Sequence, residues 1–182
     1  MFVTVTGGSG SGKSEYSEDL LLRLDGENPV NRIYIATMFP FDEESHRRIL
    51  RHRNMRKDKG FETVECYTGL KNLKLPVKNG KKPSVLLECM SNLTANEFYR
   101  EDGAGDRTPE EILLGIDCLL AQIEHLIVVT NEVFSDGILY DDSTEQYKKM
   151  LGEINAGLAV RSDAFVEVVC SIPVILKGGP LC

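Results

Sequence analysis

One short stretch near the start of the chain restricts the fold more than any other feature. Residues 7–14 read GGSGSGKS and fit the pattern G-x-x-x-x-G-K-[ST], with Gly7, Gly12, Lys13 and Ser14 at the fixed positions. The apolar run before this stretch is typical of a buried strand, and residues 13–24 after it have the apolar spacing of a helix. A strand, a glycine-rich loop and a helix in this order predict a loop that holds a nucleoside triphosphate.

The residue types of the loop explain this chemistry. Glycines let successive backbone N–H groups point at one anion, and the helix N-terminus adds partial positive charge. We expect Lys13 to reach the β- and γ-phosphates and Ser14 to ligate Mg²⁺. A glycine-rich turn without a ligand is the alternative, which the flanking strand and helix disfavour. The motif leaves open whether the phosphate goes to water, to a small molecule or to a protein.

Composition narrows the class of protein. A chain of 182 residues suits a single domain, 1–182, and its 42% hydrophobic and 27% charged residues are ordinary for a globular protein. The net charge of −7 disfavours a general nucleic-acid binder, and no apolar run is long enough to span a membrane. Nothing in the sequence resembles a signal peptide, so we expect a cytoplasmic protein.

Cysteine usage agrees with a reducing compartment. The five cysteines are widely spaced, and they form no C-x-x-C pair of the kind found in zinc sites. Cys66, Cys89 and Cys170 lie in apolar runs, where we expect buried free thiols.

Strand-like runs alternate with helical patterns along the whole chain. After the first strand, strands are predicted at residues 32–37, 61–67, 84–90 and 125–133, with one or two more at 164–176. Helices are predicted at 41–57, 91–99, 108–124 and 144–160. The continuous apolar runs at 84–90 and 125–133 are typical of central parallel strands, whereas the alternating run at 61–67 is typical of an edge strand. Thr108 is the expected N-cap of its helix. This order predicts an α/β fold with a mostly parallel central sheet flanked by helices.

Glu88 lies near the end of the predicted strand at 84–90. Ligands of open α/β sheets bind at the carboxyl ends of the strands, where the phosphate loop also lies. A carboxylate there can orient Mg²⁺ or accept a proton from a substrate hydroxyl. Capping of the next helix is the alternative role. We predict that Glu88 acts in catalysis and, with Ser14, in metal binding.

Residues 46–59 are strongly basic, with five arginines, two lysines and one aspartate. A solvated helix face is the usual explanation for such a run, and RNA binding lacks support because no aromatic residues are interleaved. Polyphosphate binding is a third explanation, since Arg48, His52 and Arg56 share one helix face. Flanking cations would keep the His52 imidazole neutral, and a neutral imidazole can attack phosphorus. The pattern alone does not choose among these explanations.

The ordered segments of the chain resemble the bifunctional cobinamide kinase/cobinamide-phosphate guanylyltransferase family over residues 1–178. The segments are TGGSGSGKS, IYIAT, RILRHR, FETVE, LLEC, VVTNEV, INAGLA and VEVVCSIPVILKG. The resemblance implies a P-loop, RecA-like fold and a homotrimer. It also implies two reactions late in adenosylcobalamin assembly: phosphorylation of adenosylcobinamide by ATP or GTP, and transfer of GMP from GTP to that phosphate through a guanylyl-histidine.

The resemblance also assigns roles to individual residues. The family's histidine nucleophile matches His52, with His46 as the fallback, and Lys13 and Glu88 complete the expected catalytic set. The family's phosphate loop matches Gly7, Gly8, Ser9, Gly10, Ser11, Gly12, Lys13 and Ser14. Its guanine-nucleotide contacts match Ala36, Thr37, Met38, Arg53, Asn54, Met55, Arg56, Glu65 and Glu88.

The chain departs from the family pattern in two segments. Phe134 stands where family members often have a glycine, the Val-Pro pair that often follows is missing, and residues 97–111 are unusual in composition. We expect these segments to reshape the surface that faces the corrinoid. Two other functions remain open: a P-loop kinase of another small hydroxyl compound without guanylyl transfer, and a nucleotide-dependent regulatory or RNA-associated module.

Overall fold

Strands and helices alternate along the computed structural model, which describes residues 1–26, 31–78 and 80–181. The elements are β1 (Phe2–Thr6), α1 (Lys13–Asp25), β2 (Arg32–Ala36), α2 (Glu43–Arg56), β3 (Phe61–Glu65), β4 (Ser84–Glu88), α3 (Met90–Tyr99), α4 (Thr108–Leu120), β5 (Leu126–Val129), α5 (Asp142–Arg161), β6 (Ala164–Val169) and β7 (Ile172–Lys177).

All the strands belong to one seven-stranded sheet in the order β3-β2-β4-β5-β1-β6-β7. Every neighbouring pair is parallel except β6 and β7, which form an antiparallel hairpin. The predicted mostly parallel α/β architecture is therefore confirmed, and so is the edge position of β3. The interior strand β1 lies beside β5, which separates it from β4.

Side-chain alternation along the strands divides the core into two layers. On one face Val3 and Val5 pack with Leu20 and Leu21 of α1. On the other face Phe2 and its neighbours pack against α3, α4 and α5. The helix α2 contributes to neither cluster, and its buried residues are Ser45 and Arg56.

Several local predictions were wrong. The strand predicted at 125–133 ends at Val129, and the helix predicted at 108–124 ends at Leu120. The strand predicted at 84–90 ends at Glu88, because Met90 already begins α3. Thr108 is the first helical residue and not the N-cap, because the 3₁₀ turn Gly105–Arg107 leads directly into α4 and the Thr108 hydroxyl donates to the Gly105 carbonyl. Cys170 is exposed, since it lies in the turn between β6 and β7. Cys66 is buried as expected and Cys89 is half-buried, whereas Cys182 lies outside the described residues.

Within the described ranges, no helix combines the length and the apolar character needed to cross a bilayer.

Candidate active site

The parallel sheet brings the predicted functional residues to one edge. The phosphate loop follows β1, while Ala36, Glu65 and Glu88 end β2, β3 and β4. A cavity of about 990 Å³ opens at this edge, and α2 forms one of its walls. This position agrees with the rule that open α/β sheets bind ligands at the carboxyl ends of their strands.

At two positions of the phosphate loop, only glycine fits, because a Cβ atom would clash with the β6–β7 hairpin. Gly12 has φ 91°, in the left-handed region, and a Cβ atom there would lie 2.6 Å from the Ser171 hydroxyl oxygen. A Cβ atom on Gly7 would lie 2.5 Å from the Val168 carbonyl oxygen. The backbone N–H of Ser171 donates to the carbonyl of Ser11 at 2.8 Å. The β6–β7 hairpin therefore packs against the phosphate loop and supports its conformation.

Lys13 is held against the loop that it follows. Its Nζ atom donates to the Gly8 carbonyl at 2.8 Å, and the residue is only 8% exposed. Burial lowers the pKa of Lys13, and the neighbouring Cys89 and Glu88 oppose that shift. An ammonium group in this place is available to a phosphate that displaces the carbonyl contact.

The Ser14 hydroxyl and the Glu88 carboxylate lie next to each other beside the phosphate loop. The Ser14 hydroxyl donates to Oε1 of Glu88 at 2.5 Å, and the Tyr34 hydroxyl donates to Oε2 at 3.2 Å. A hydroxyl and a carboxylate are hard oxygen ligands of the type that Mg²⁺ takes together with substrate phosphates. Among the described residues there is no cluster of three or more His, Cys, Asp or Glu side chains suited to a metal. The pair fits a metal held jointly with a bound nucleotide and does not form an all-protein cage.

His52 lies on the wall of the cavity that α2 forms. Its Nδ1 atom is 3.9 Å from Oε1 of Glu88, and the side chain is 18% exposed. Nδ1 is buried and has no hydrogen-bond partner within the described parts of the chain. Arg48, one of the expected flanking cations, lines the same cavity and pairs with Glu44 through an exposed side chain. The charged group that His52 faces is a carboxylate.

Most of the predicted nucleotide contacts line the cavity. They are Ser9, Gly10, Ser11, Gly12, Lys13, Ser14, Ala36, Met38, Arg53, Met55, Arg56, Glu65 and Glu88. Gly7, Gly8, Thr37 and Asn54 do not belong to the lining. Thr37 is fully buried, and its hydroxyl donates to the Cys89 carbonyl. The binding roles of all these residues stay predictions.

Several cavity residues were not predicted from the sequence. They include Tyr34, Tyr67, Ser91, Asn92 and Asn131. Asn131 donates to the Ser91 hydroxyl at 2.5 Å, and it is the second residue after the buried strand β5. Polar residues just after a continuous apolar run are the signal that could have identified Asn131. Burial and the nearby Glu65 raise the pKa of Tyr67 to about 12.

Comparison with a solved structure supports the fold assignment. The ATPase domain of G40P matches with a TM-score of 0.51 and 9% identity, covering 100% of this chain and 78% of that chain. At this identity the likeness concerns the fold alone. It agrees with the predicted P-loop, RecA-like fold.

Comparison with known sequences identifies the family. The chain is 30% identical over 190 residues to the bifunctional adenosylcobalamin biosynthesis protein CobU of Salmonella typhimurium, with 97% of this chain and 100% of that protein covered. It is 29% identical over 178 residues to the bifunctional adenosylcobalamin biosynthesis protein CobP of Pseudomonas aeruginosa, with 97% and 98% covered. The family model described as cobinamide kinase / cobinamide phosphate guanyltransferase matches residues 3–176. Together with the phosphate loop and the sheet order, these matches show that the chain belongs to the cobinamide kinase / cobinamide phosphate guanyltransferase family of enzymes.

Proposed function

We propose that this enzyme phosphorylates adenosylcobinamide with ATP or GTP and then transfers GMP from GTP to adenosylcobinamide phosphate. Both reactions belong to adenosylcobalamin biosynthesis. The observation that supports this proposal best is the presence of the phosphate loop, Glu88 and His52 around one cavity. A kinase requires the phosphate loop and Glu88. Transfer of GMP through a covalent enzyme intermediate requires His52.

In the proposed kinase step, the substrate hydroxyl oxygen attacks the γ-phosphorus. A new P–O bond forms, the bond from the γ-phosphorus to the β–γ bridging oxygen breaks, and the nucleoside diphosphate leaves. Lys13 would bind the β- and γ-phosphates, and Glu88 would accept the hydroxyl proton or hold the metal with Ser14. Ser14 and Glu88 would hold Mg²⁺ together with the bound nucleotide, and its charge would offset the negative charge that develops during transfer.

In the proposed guanylyl step, an imidazole nitrogen of His52 attacks the α-phosphorus of GTP. A P–N bond forms while the bond to the α–β bridging oxygen breaks, and pyrophosphate leaves. An oxygen of the corrinoid phosphate then attacks the same phosphorus, the P–N bond breaks, and the imidazole is regenerated. Covalent catalysis divides one difficult transfer into two easier displacements. Lys13 and Arg51, which both line the cavity, would provide cations near the developing pyrophosphate charge.

We also propose that the chain forms one domain and assembles as a homotrimer in the cytoplasm. The edge strand β3 exposes Glu62 and Glu65, whereas the other edge strand, β7, exposes Ile172, Ile175 and Leu176. Exposed apolar edges favour association, so β7 supports assembly better than β3 does. Light scattering at working concentration would detect the trimer, and a monomer would contradict it.

No nucleic-acid partner belongs to the proposal. The basic side chains Arg48 and Arg53 of α2 are paired with Glu44 and Glu65, which reduces the positive field that a polyanion would meet.

Intact-mass spectrometry after incubation with GTP and Mg²⁺ tests the guanylyl step. We expect one added guanylyl group that mild acid removes, since a phosphoramidate is acid-labile. Addition of adenosylcobinamide phosphate should remove the group and yield the nucleotide-linked corrinoid. A chain that phosphorylates adenosylcobinamide but forms no adduct would support a plain kinase. Nucleotide binding with RNA retention and without phosphotransfer would support the regulatory alternative.

A further inference from the structure

The guanidinium of Arg56 lies on the ring of Tyr34. Its Cζ atom is 3.2 Å from the ring centroid, and both residues are only 4% exposed. A cation over an aromatic face is attracted by the ring quadrupole, and the attraction is stronger when both groups are desolvated. Arg56 belongs to the last turn of α2, and Tyr34 belongs to β2. The stack therefore attaches the C-terminal turn of α2 to the sheet.

Just after α2, Lys59 pairs with Glu18 and Asp19 of α1. Within α2 itself, the described residues near His52 make few other attachments. Its second buried residue, Ser45, exchanges hydrogen bonds with Asp42 in a capping box within the same segment. Leu50 and Met55 are 59% and 40% exposed, so they add little packing. The ion pair of Arg53 with Glu65 joins two half-exposed side chains, and such pairs contribute little to stability.

Tyr34 is itself a fixed platform. Its hydroxyl donates to Glu88, and its ring packs in the core layer between the sheet and α1. Burial, with a further contribution from Glu88, raises the pKa of Tyr34 well above its ordinary value, so the hydroxyl remains a donor. The residue under Arg56 is thus held by the same carboxylate that faces His52.

Arg56 is enclosed, yet it also lines the cavity. Its Nε and Nη1 atoms are buried and have no hydrogen-bond partner among the described residues. A planar guanidinium can stack on a ring and still donate from its edge, so the dependence of the adduct rate on GTP concentration is needed to separate binding from positioning.

His52 and Arg56 are four residues apart and therefore lie on one face of α2, one turn from each other. We propose that Tyr34 and Arg56 form a clamp that fixes the position of the His52 imidazole against the α-phosphate of GTP. This inference rests on the proposed function. The two residues are positioning residues, because they act through His52 and do not themselves touch the reacting atoms.

Matched substitutions of Tyr34 test the clamp. Tyr34→Phe and Tyr34→Leu both remove the hydroxyl that orients Glu88, but only Tyr34→Leu removes the ring under Arg56. We expect the maximal single-turnover rate of guanylyl adduct formation to be at least about tenfold lower in Tyr34→Leu than in Tyr34→Phe, because small displacements of a reacting group cost large rate factors. The half-saturating GTP concentration and the kinase rate should be alike in the two variants.

Arg56→Lys provides a second test if Tyr34→Leu unfolds. It keeps the positive charge but loses the planar stack. We expect a loss of maximal adduct rate similar to that of Tyr34→Leu and larger than any change in the half-saturating GTP concentration. A raised half-saturating concentration at an unchanged maximal rate would mean that Arg56 binds the nucleotide, and it would overturn the inference.

The controls separate the clamp hypothesis from the proposed guanylyl transfer itself. If wild-type protein forms the adduct and the folded Tyr34 variants form it at equal rates, the clamp is wrong and the proposed function stands. If wild-type protein forms no adduct, the guanylyl function fails and the clamp fails with it.

Discussion

Nδ1 of His52 lies 3.9 Å from Oε1 of Glu88, the same oxygen atom that accepts a hydrogen bond from Ser14. One carboxylate thus contacts the residue expected to ligate Mg²⁺ and faces the residue expected to receive GMP. The two proposed reactions share this group, and the predictions below use substitutions that separate them.

Glu88→Gln preserves the shape of the side chain and removes its charge. We expect the rate of adenosylcobinamide phosphorylation to fall by about 100-fold or more, because both proton acceptance and metal binding need the carboxylate. Glu62→Gln on β3, where the side chain pairs with Lys78 at the surface, is the matched control. Corrinoid phosphorylation at saturating ATP measures the effect, and an unchanged rate would remove Glu88 from the kinase step.

His52→Ala should abolish the guanylyl adduct and keep much of the kinase activity, since phosphorylation needs no covalent histidine. His46→Ala is the control, because His46 is exposed in the first turn of α2, where its Nδ1 contacts the Asp42 carbonyl. Intact-mass spectrometry with GTP measures the adduct. If His46→Ala loses the adduct while His52→Ala keeps it, His46 is the nucleophile.

Lys13→Ala should weaken binding of both ATP and GTP. A charge-assisted contact to phosphate contributes about 1.5–3 kcal/mol, which corresponds to roughly 10- to 150-fold in Kd. Titration calorimetry measures this change, and Lys74→Ala on an exposed loop is the control. Equal affinity in wild type and Lys13→Ala would mean that the nucleotide binds elsewhere.

Glu97→Ala should destabilise the fold. Glu97 does not line the cavity, so this effect is independent of nucleotide binding. Glu97 is 4% exposed, and its carboxylate accepts hydrogen bonds from the backbone N–H groups of Gly69 at 2.7 Å and Ala104 at 3.0 Å. Loss of both leaves two enclosed donors unpaired, and we expect the free energy of unfolding to fall by about 2–4 kcal/mol. Urea unfolding measures the loss. Glu101→Ala at an exposed position should change little.

The stability of the protein should decline at alkaline pH partly through Cys66. Burial raises the pKa of the Cys66 thiol from 9.0 to about 11. The folded state therefore keeps a proton that the unfolded chain releases, so this contribution to stability is complete below about pH 9 and is lost as pH rises toward about pH 11. Its total is about 2–3 kcal/mol.

Urea unfolding of wild type and Cys66→Ala, under reducing conditions, checks this pH dependence. Between about pH 8 and 10, the wild type should lose about 1–2 kcal/mol more than the variant. Burial also raises the pKa of Tyr147 to about 12, but this residue is present in both proteins and cancels in the comparison. Parallel pH profiles of the two proteins would contradict the assignment to Cys66.

The sequence predicted correctly those features that depend on residues close together in the chain. A strand, a glycine-rich turn and a helix N-terminus form the phosphate loop from contiguous residues, and β1, Phe2–Thr6, lies in the apolar run before the loop as predicted. The position of Glu88 beside the loop also follows from a general rule, because parallel strands end at one edge.

The remaining features depend on contacts between distant residues. Nothing in the spacing of α2 shows that Arg56 lies on Tyr34 or that His52 faces a carboxylate, because these contacts depend on how α2 packs on the sheet. The apolar run that contains Cys170 predicts burial, but a turn at Cys170 and Ser171 divides it into a hairpin whose outer strand β7 is exposed at the sheet edge.

The contact between Ser171 and the phosphate loop has a consequence for the order of folding. Ser11 and Gly12 leave the ribosome early, yet the hairpin that supports them, and the β6 partner of β1, are synthesised much later. Contacts between residues so distant in sequence form slowly, because the intervening chain must first be ordered. The nascent chain thus contains the complete motif long before it can hold the loop in place. Nucleotide affinity during translation should therefore appear only after residues 164–171 have emerged.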